Sequence, residues 1–176
     1  DELLREAVDE IFSEYEDGTM DYPAAKSHLT AIADFWDDGY ADEAMERLRA
    51  LYDSRESFAE AEDAMERGQY REAIGLYAQV SEEDSNYKKA QERLEDAKRE
   101  YRSQVFSEAD SREASGDYEG AVSLLEEALE VLPGDGELSE HKEQLESERE
   151  TYWIQSALDE AGRYASSGNY FAAVQR

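Results

Sequence analysis

The chain has 176 residues, 40% of them hydrophobic, and no cysteine, so packing rather than a disulfide framework must hold it together. Its 46 acidic against 18 basic residues give a formal net charge of −28, which repels phosphate backbones and anionic lipid heads and argues against nucleic acid or direct lipid binding. No run of about 18 apolar residues and no basic-then-apolar leader occurs, so neither a membrane span nor a signal peptide is expected inside this stretch.

Two prolines and ten glycines among abundant Ala, Glu, Leu and Arg leave few helix breakers, and an all-α fold is expected. Residues 1–38 read as an N-terminal helical cap. DELLREAVDEIFSEYEDG puts Leu4, Val8, Ile11, Phe12 and Tyr15 on one face, and TMDYPAAKSHLTAIADFWDDG opens with Pro23 as an early helix residue. From there the chain repeats a small pattern. Gly39, Gly68, Gly116 and Gly168 each stand five residues before an alanine (Ala44, Ala73, Ala121, Ala173), and the last three carry a tyrosine two residues on (Tyr70, Tyr118, Tyr170). Glycine adopts the left-handed backbone of a helix C-terminus at least cost, so each glycine is expected to end one helix just before the next begins. Recurrence at tens of residues marks a repeat array.

Residues 39–83 therefore read as degenerate hairpins, and 84–135 as a long helix followed by a clear hairpin. Within 84–115, Tyr87, Ala90, Leu94, Ala97, Tyr101, Val105 and Ala109 keep spacings of 3 or 4, which favours one continuous helix of about 30 residues, near 45 Å long. After Gly116, the residues Tyr118, Ala121, Leu124, Leu125, Ala128 and Leu132 form one stripe, and Pro133-Gly134 ends it. Residues 136–176 read as a second long helix and the start of an incomplete repeat, so a longer parent chain is expected. The whole is read as one continuous array.

These residues resemble the tetratricopeptide repeats. The resemblance rests on Ala109, Gly116, Asp117, Tyr118, Ala121, Leu125, Ala128 and Pro133, on Ala61, Ala64, Gly68, Tyr70, Ala73 and Tyr77 before them, and on Ala161, Tyr164, Gly168, Tyr170 and Ala173 after. It covers about three-quarters of the chain. It implies an irregular α-solenoid of antiparallel hairpins, because the glycine spacings are 29, 48 and 52 residues where regular members repeat at about 34. It also implies a groove lined by the first helix of each hairpin. Lys26, Leu29, Ala33 and Trp36 would face that groove, followed by Arg55, Phe58, Glu62 and Met65, then Ser103, Phe106, Asp110 and Glu113, then Gln155 and Leu158. Only Lys26 and Arg55 could serve a carboxylate clamp, so a basic or apolar segment is the better partner.

The sequence offers no catalytic constellation. His28 and His141 lie in different repeats, neither has a second histidine four residues away, and the glycines occur singly, which excludes a zinc-binding helix of that type and a phosphate loop. Each histidine is expected to be an ordinary exposed or half-buried helix residue. A calcium loop at DFWDDGYADE fails because Trp36 occupies a ligand position and Met45 stands where the terminal Glu should be; EYEDGTMDYPAA fails at Ala24. No metal, cofactor or enzymatic activity is expected. The aromatic pairs Phe35-Trp36 and Tyr152-Trp153 point about 100° apart on a helix, so one member of each is expected at the surface. The contact residues expected are Lys26, Trp36, Arg55, Glu62, Met65, Asp110, Glu113 and Trp153. The leading reading is a protein-protein interaction scaffold in a larger bacterial protein. The alternative is a structural spacer with no ligand of its own. Absence of cysteine suits an extracytoplasmic site, with the cytoplasm as the alternative.

Overall fold

The computed structural model describes residues 2–35, 39–168 and 171. Among them seven α-helices and no strands occur: α1 (Glu2–Glu16), α2 (Tyr22–Phe35), α3 (Tyr40–Glu66), α4 (Tyr70–Tyr77), α5 (Tyr87–Ala114), α6 (Tyr118–Val131) and α7 (Gly136–Ser166). Contacts divide the chain into two compact units, Asp1–Ala97 and Lys98–Arg176, with α5 running through the division. The all-helical expectation holds, and the two long segments are single helices of 28 and 31 residues. Neither contains proline, so nothing removes a backbone donor along them.

One long helix was not anticipated. Residues 40–66, which the family resemblance divides between two successive hairpins, form the unbroken 27-residue α3. The reason is local, because LYDSRE (51–56) holds neither glycine nor proline to stop it.

The first unit is built by packing α1, α2 and α4 on α3. Val8, Ile11, Phe12 and Tyr15 of α1 are buried with Ala25 and Leu29 of α2 and Ala41, Leu48 and Leu51 of α3. The α1 residues are the ones its 3–4 spacing selects. Arg55 of α3 closes the C-terminal end of α1: its guanidinium lies 4.7 Å from the centre of the Tyr15 ring and donates to the Tyr15 and Glu16 carbonyls at 3.0 and 3.1 Å. Terminal carbonyls have no partner within their helix and carry its negative dipole end, so a cation is favoured there.

The turn from α3 to α4 shows why glycine recurs. Gly68 has φ +70° and donates to the Met65 carbonyl, while Gln69 donates to the Ala64 carbonyl. This is the paired closure of a helix that ends on a left-handed residue. Gly116 repeats it with φ +82°, its own N–H bonded to Glu113 and that of Asp117 bonded to Arg112.

In the second unit α6 packs on α7. Asp117 caps α6 by accepting from Gly120 N at 3.0 Å, and Asp135 caps α7 by accepting from Leu138 N at 3.1 Å. Arg102 of α5 grips the second cap, donating to Asp135 Oδ2 at 2.7 and 2.9 Å and to Glu137 at 3.1 Å. Ala121, Leu125 and Ala128 of α6 and Leu138 and Leu145 of α7 have no exposed surface. By length α6 spans about 21 Å and α7 about 46 Å, so α7 outruns its partner. Its C-terminal half from Glu150 to Ser156 is exposed at every residue.

Candidate interaction surface

In the first unit two of the expected contact residues, Glu62 and Arg55, are already engaged. Glu62, on α3, accepts from the Tyr77 hydroxyl, from Lys89 Nζ at 3.1 Å and from Arg93 Nε at 3.1 Å. Burial pushes its carboxyl up, but these donors outweigh burial and hold it below the usual carboxylate range. Burial and the same contact push the Tyr77 hydroxyl well above its ordinary value. Arg55 is committed to the end of α1 as described. Met65 is half-buried, and Leu29 is fully buried in the α1–α3 core rather than lining a groove. Its neighbours on α1 and α3 supply the apolar cover that a single-helix reading could not assign. Lys26 is exposed, 5.9 Å from the centre of the Tyr22 ring. Trp36 lies outside the described residues, and Phe35 beside it is 86% exposed.

The second unit brings two expected residues together with one that sequence reasoning set aside. Asp110 and Glu113 are three apart on α5 and so share a face. His141 of α7 lies against them, its Nε2 3.4 Å from Asp110 Oδ1 and its ring 5.0 Å from that of Phe106. The imidazole is only 20% exposed. Glu148, two turns further along α7, hydrogen-bonds Glu113; that contact, with burial and the charges of Glu148 and Asp110, pushes the Glu113 carboxyl up. Glu148 is held down by Gln144 and by the same Glu113 contact. His141 and Glu148 sit seven residues apart in a segment crowded with acids, and only the register of α7 against α5 singles them out.

Trp153 is 54% exposed, and so are its neighbours Tyr152 (49%), Ile154 (63%) and Leu158 (62%). One member of the Tyr152-Trp153 pair was expected at the surface; both are there. Tyr152 leans on Tyr118, at the start of α6, with ring centres 5.2 Å apart. The Arg149 guanidinium lies 5.2 Å from the Trp153 ring, while its Nε is buried without an acceptor among the described residues. Leaving a buried donor unpaired is costly, so Arg149 Nε is a polar atom that the described residues do not satisfy. Around it are Glu148, Glu150, Asp159 and Glu160. No helix among the described residues is long and apolar enough to cross a membrane.

No family model matches the chain, and neither the curated proteins nor the solved structures give a significant match.

Proposed function

We propose that the chain is a protein-protein interaction module, a tetratricopeptide-like α-solenoid within a larger bacterial protein, that presents an acidic and aromatic surface to a basic or apolar peptide or protein segment. The observation that carries this reading is the exposed C-terminal half of α7, which among the described residues meets Tyr118 of α6 through Tyr152. Four large side chains, Tyr152, Trp153, Ile154 and Leu158, are about half exposed or more within seven residues. Scattered apolar residues need no explanation, but a contiguous group rimmed by charge marks a contact surface. Trp and Tyr with an adjacent arginine are the side chains that most often dominate binding energy. The carboxylates around them favour a cationic partner and steer its approach. The turns at Gly68 and Gly116, each joining a long helix to a shorter one, support the repeat reading.

Selection of peptides from a random library on the immobilised chain tests it. The expected result is enrichment of sequences combining Lys or Arg with apolar residues, with binding weakened by salt and by Trp153→Ala. Loss of about tenfold in affinity corresponds to roughly 1.4 kcal/mol. Selection without enrichment, or binding indifferent to both salt and Trp153→Ala, would leave the spacer reading in its place.

A further inference from the structure

We propose that Asp110, Glu113 and His141 form a binding site for a divalent ion of the zinc class that joins α5 to α7. The ligand atoms of these three side chains all lie within 4.8 Å of one another. They come from two helices, so the site depends on their packing. Zinc bonds of 2.0–2.1 Å in tetrahedral array set neighbouring ligands about 3.3 Å apart, and His141 Nε2 already stands 3.4 Å from Asp110 Oδ1. Adjustment is then needed mainly at the Glu113 side chain, which is half-buried and among the described residues is bonded to another carboxyl, that of Glu148.

The imidazole distinguishes this group from the many acid clusters that 46 carboxylates make inevitable. Its ring is four-fifths covered and rests against Phe106, one turn before Asp110 on α5, with Nε2 toward the Asp110 carboxylate. A nitrogen ligand held in this way favours zinc and its transition-metal neighbours over magnesium or calcium, which prefer all-oxygen sites. Charge argues in the same direction. Among the described residues no lysine or arginine pairs with Asp110, Glu113 or Glu148, and the Glu113 and Glu148 carboxyls lie against each other. A bound dication would supply the missing positive charge. Three protein ligands leave a fourth position for water, the pattern of an open zinc site. This inference stands independently of the aromatic surface on α7.

Calorimetric titration of the whole chain with Zn²⁺, in a large excess of Mg²⁺ to occupy adventitious acidic sites, tests it. One zinc per chain is expected to survive the magnesium. His141→Gln and Asp110→Asn are each expected to weaken it at least about tenfold, as much as loss of an outer-shell partner does, and His28→Gln is expected to change nothing. Asp110 is exposed, so its variant keeps the fold even if that of His141 does not, and circular dichroism checks both. In the NMR spectrum the His141 ring signals should move at one equivalent while those of His28 stay. Zinc displaced by magnesium, equal binding by all variants, or unmoved His141 signals would overturn the site and leave an imidazole-carboxylate contact alone.

Discussion

Ser54, in the middle of α3, donates its hydroxyl hydrogen to Asp84 Oδ2 at 2.7 Å, and both side chains are buried. The Ser54 oxygen in turn accepts from Ser81 N at 2.9 Å, while Asp84 Oδ1 accepts from Asn86 N at 2.9 Å and from its side-chain amide at 3.1 Å. Two side chains thus satisfy the loop that leads into α5 and fasten it to α3. Asp84→Ala leaves three donors without their acceptor and is expected to destabilise the first unit by about 2–3 kcal/mol, with Ser54→Ala costing about 1–2. Because the pair is in direct contact, the double variant should cost less than the two singles together. Urea unfolding of all four proteins measures this.

Glu62 makes the first unit sensitive to acid. Its carboxyl titrates lower folded than unfolded, so the unfolded chain takes up that proton first. The contribution is therefore fully present above the ordinary carboxylate pKa of about 4.3 and is lost as pH falls through the lower folded value. Relief of repulsion in a chain of charge −28 works the other way, but it is common to wild type and Glu62→Gln. Denaturant midpoints of the two are expected to differ by a constant above about pH 5 and to converge as pH falls below it. A difference independent of pH down to 3 would mean that the Tyr77, Lys89 and Arg93 contacts do not favour the charged carboxylate.

Gly68 and Gly75 should respond oppositely to the same substitution. A Cβ at either would meet nothing within 4 Å, but Gly68 has φ +70° and Gly75 lies inside α4. Gly68→Ala is expected to cost about 1–2 kcal/mol through the left-handed backbone alone. Gly68→Asn should recover part of that cost, since asparagine tolerates this conformation. Gly75→Ala is expected to stabilise by about 0.5–1 kcal/mol because alanine is the better helix former. Thermal or urea unfolding of the three variants decides the signs.

Trp153 and Leu145 lie two turns apart on α7 and should separate recognition from stability. Leu145 is fully buried, whereas Trp153 is 54% exposed. Leu145→Ala is expected to cost about 2–5 kcal/mol by leaving a cavity. Trp153→Ala should change stability by no more than about 1 kcal/mol, the value of its exposed contact with Arg149. A large loss of stability on Trp153→Ala would show that the ring supports the fold, and its value as a contact residue would fall accordingly.

Along the chain, what sequence alone determined was local. The 3–4 spacing of Val8, Ile11, Phe12 and Tyr15, and of Ala90, Leu94, Ala97, Tyr101, Val105 and Ala109, of which only Tyr101 is half-buried rather than buried, identifies buried faces because helical period is a property of a single segment. Gly68 and Gly116 mark helix ends because the left-handed turn is a backbone preference of one residue. Where local signals were absent, the family pattern misled: α3 continues through residues 51–56 because no residue there stops it. Only tertiary structure decided what the polar side chains do. Glu62 meets Tyr77, Lys89 and Arg93 across 15 to 31 residues, Ser54 meets Asp84 across 30, and His141 reaches Asp110 from another helix. Each pairing depends on how far one helix slides and turns against the next, and that register is set by the summed packing of many apolar contacts rather than by any short stretch of residues.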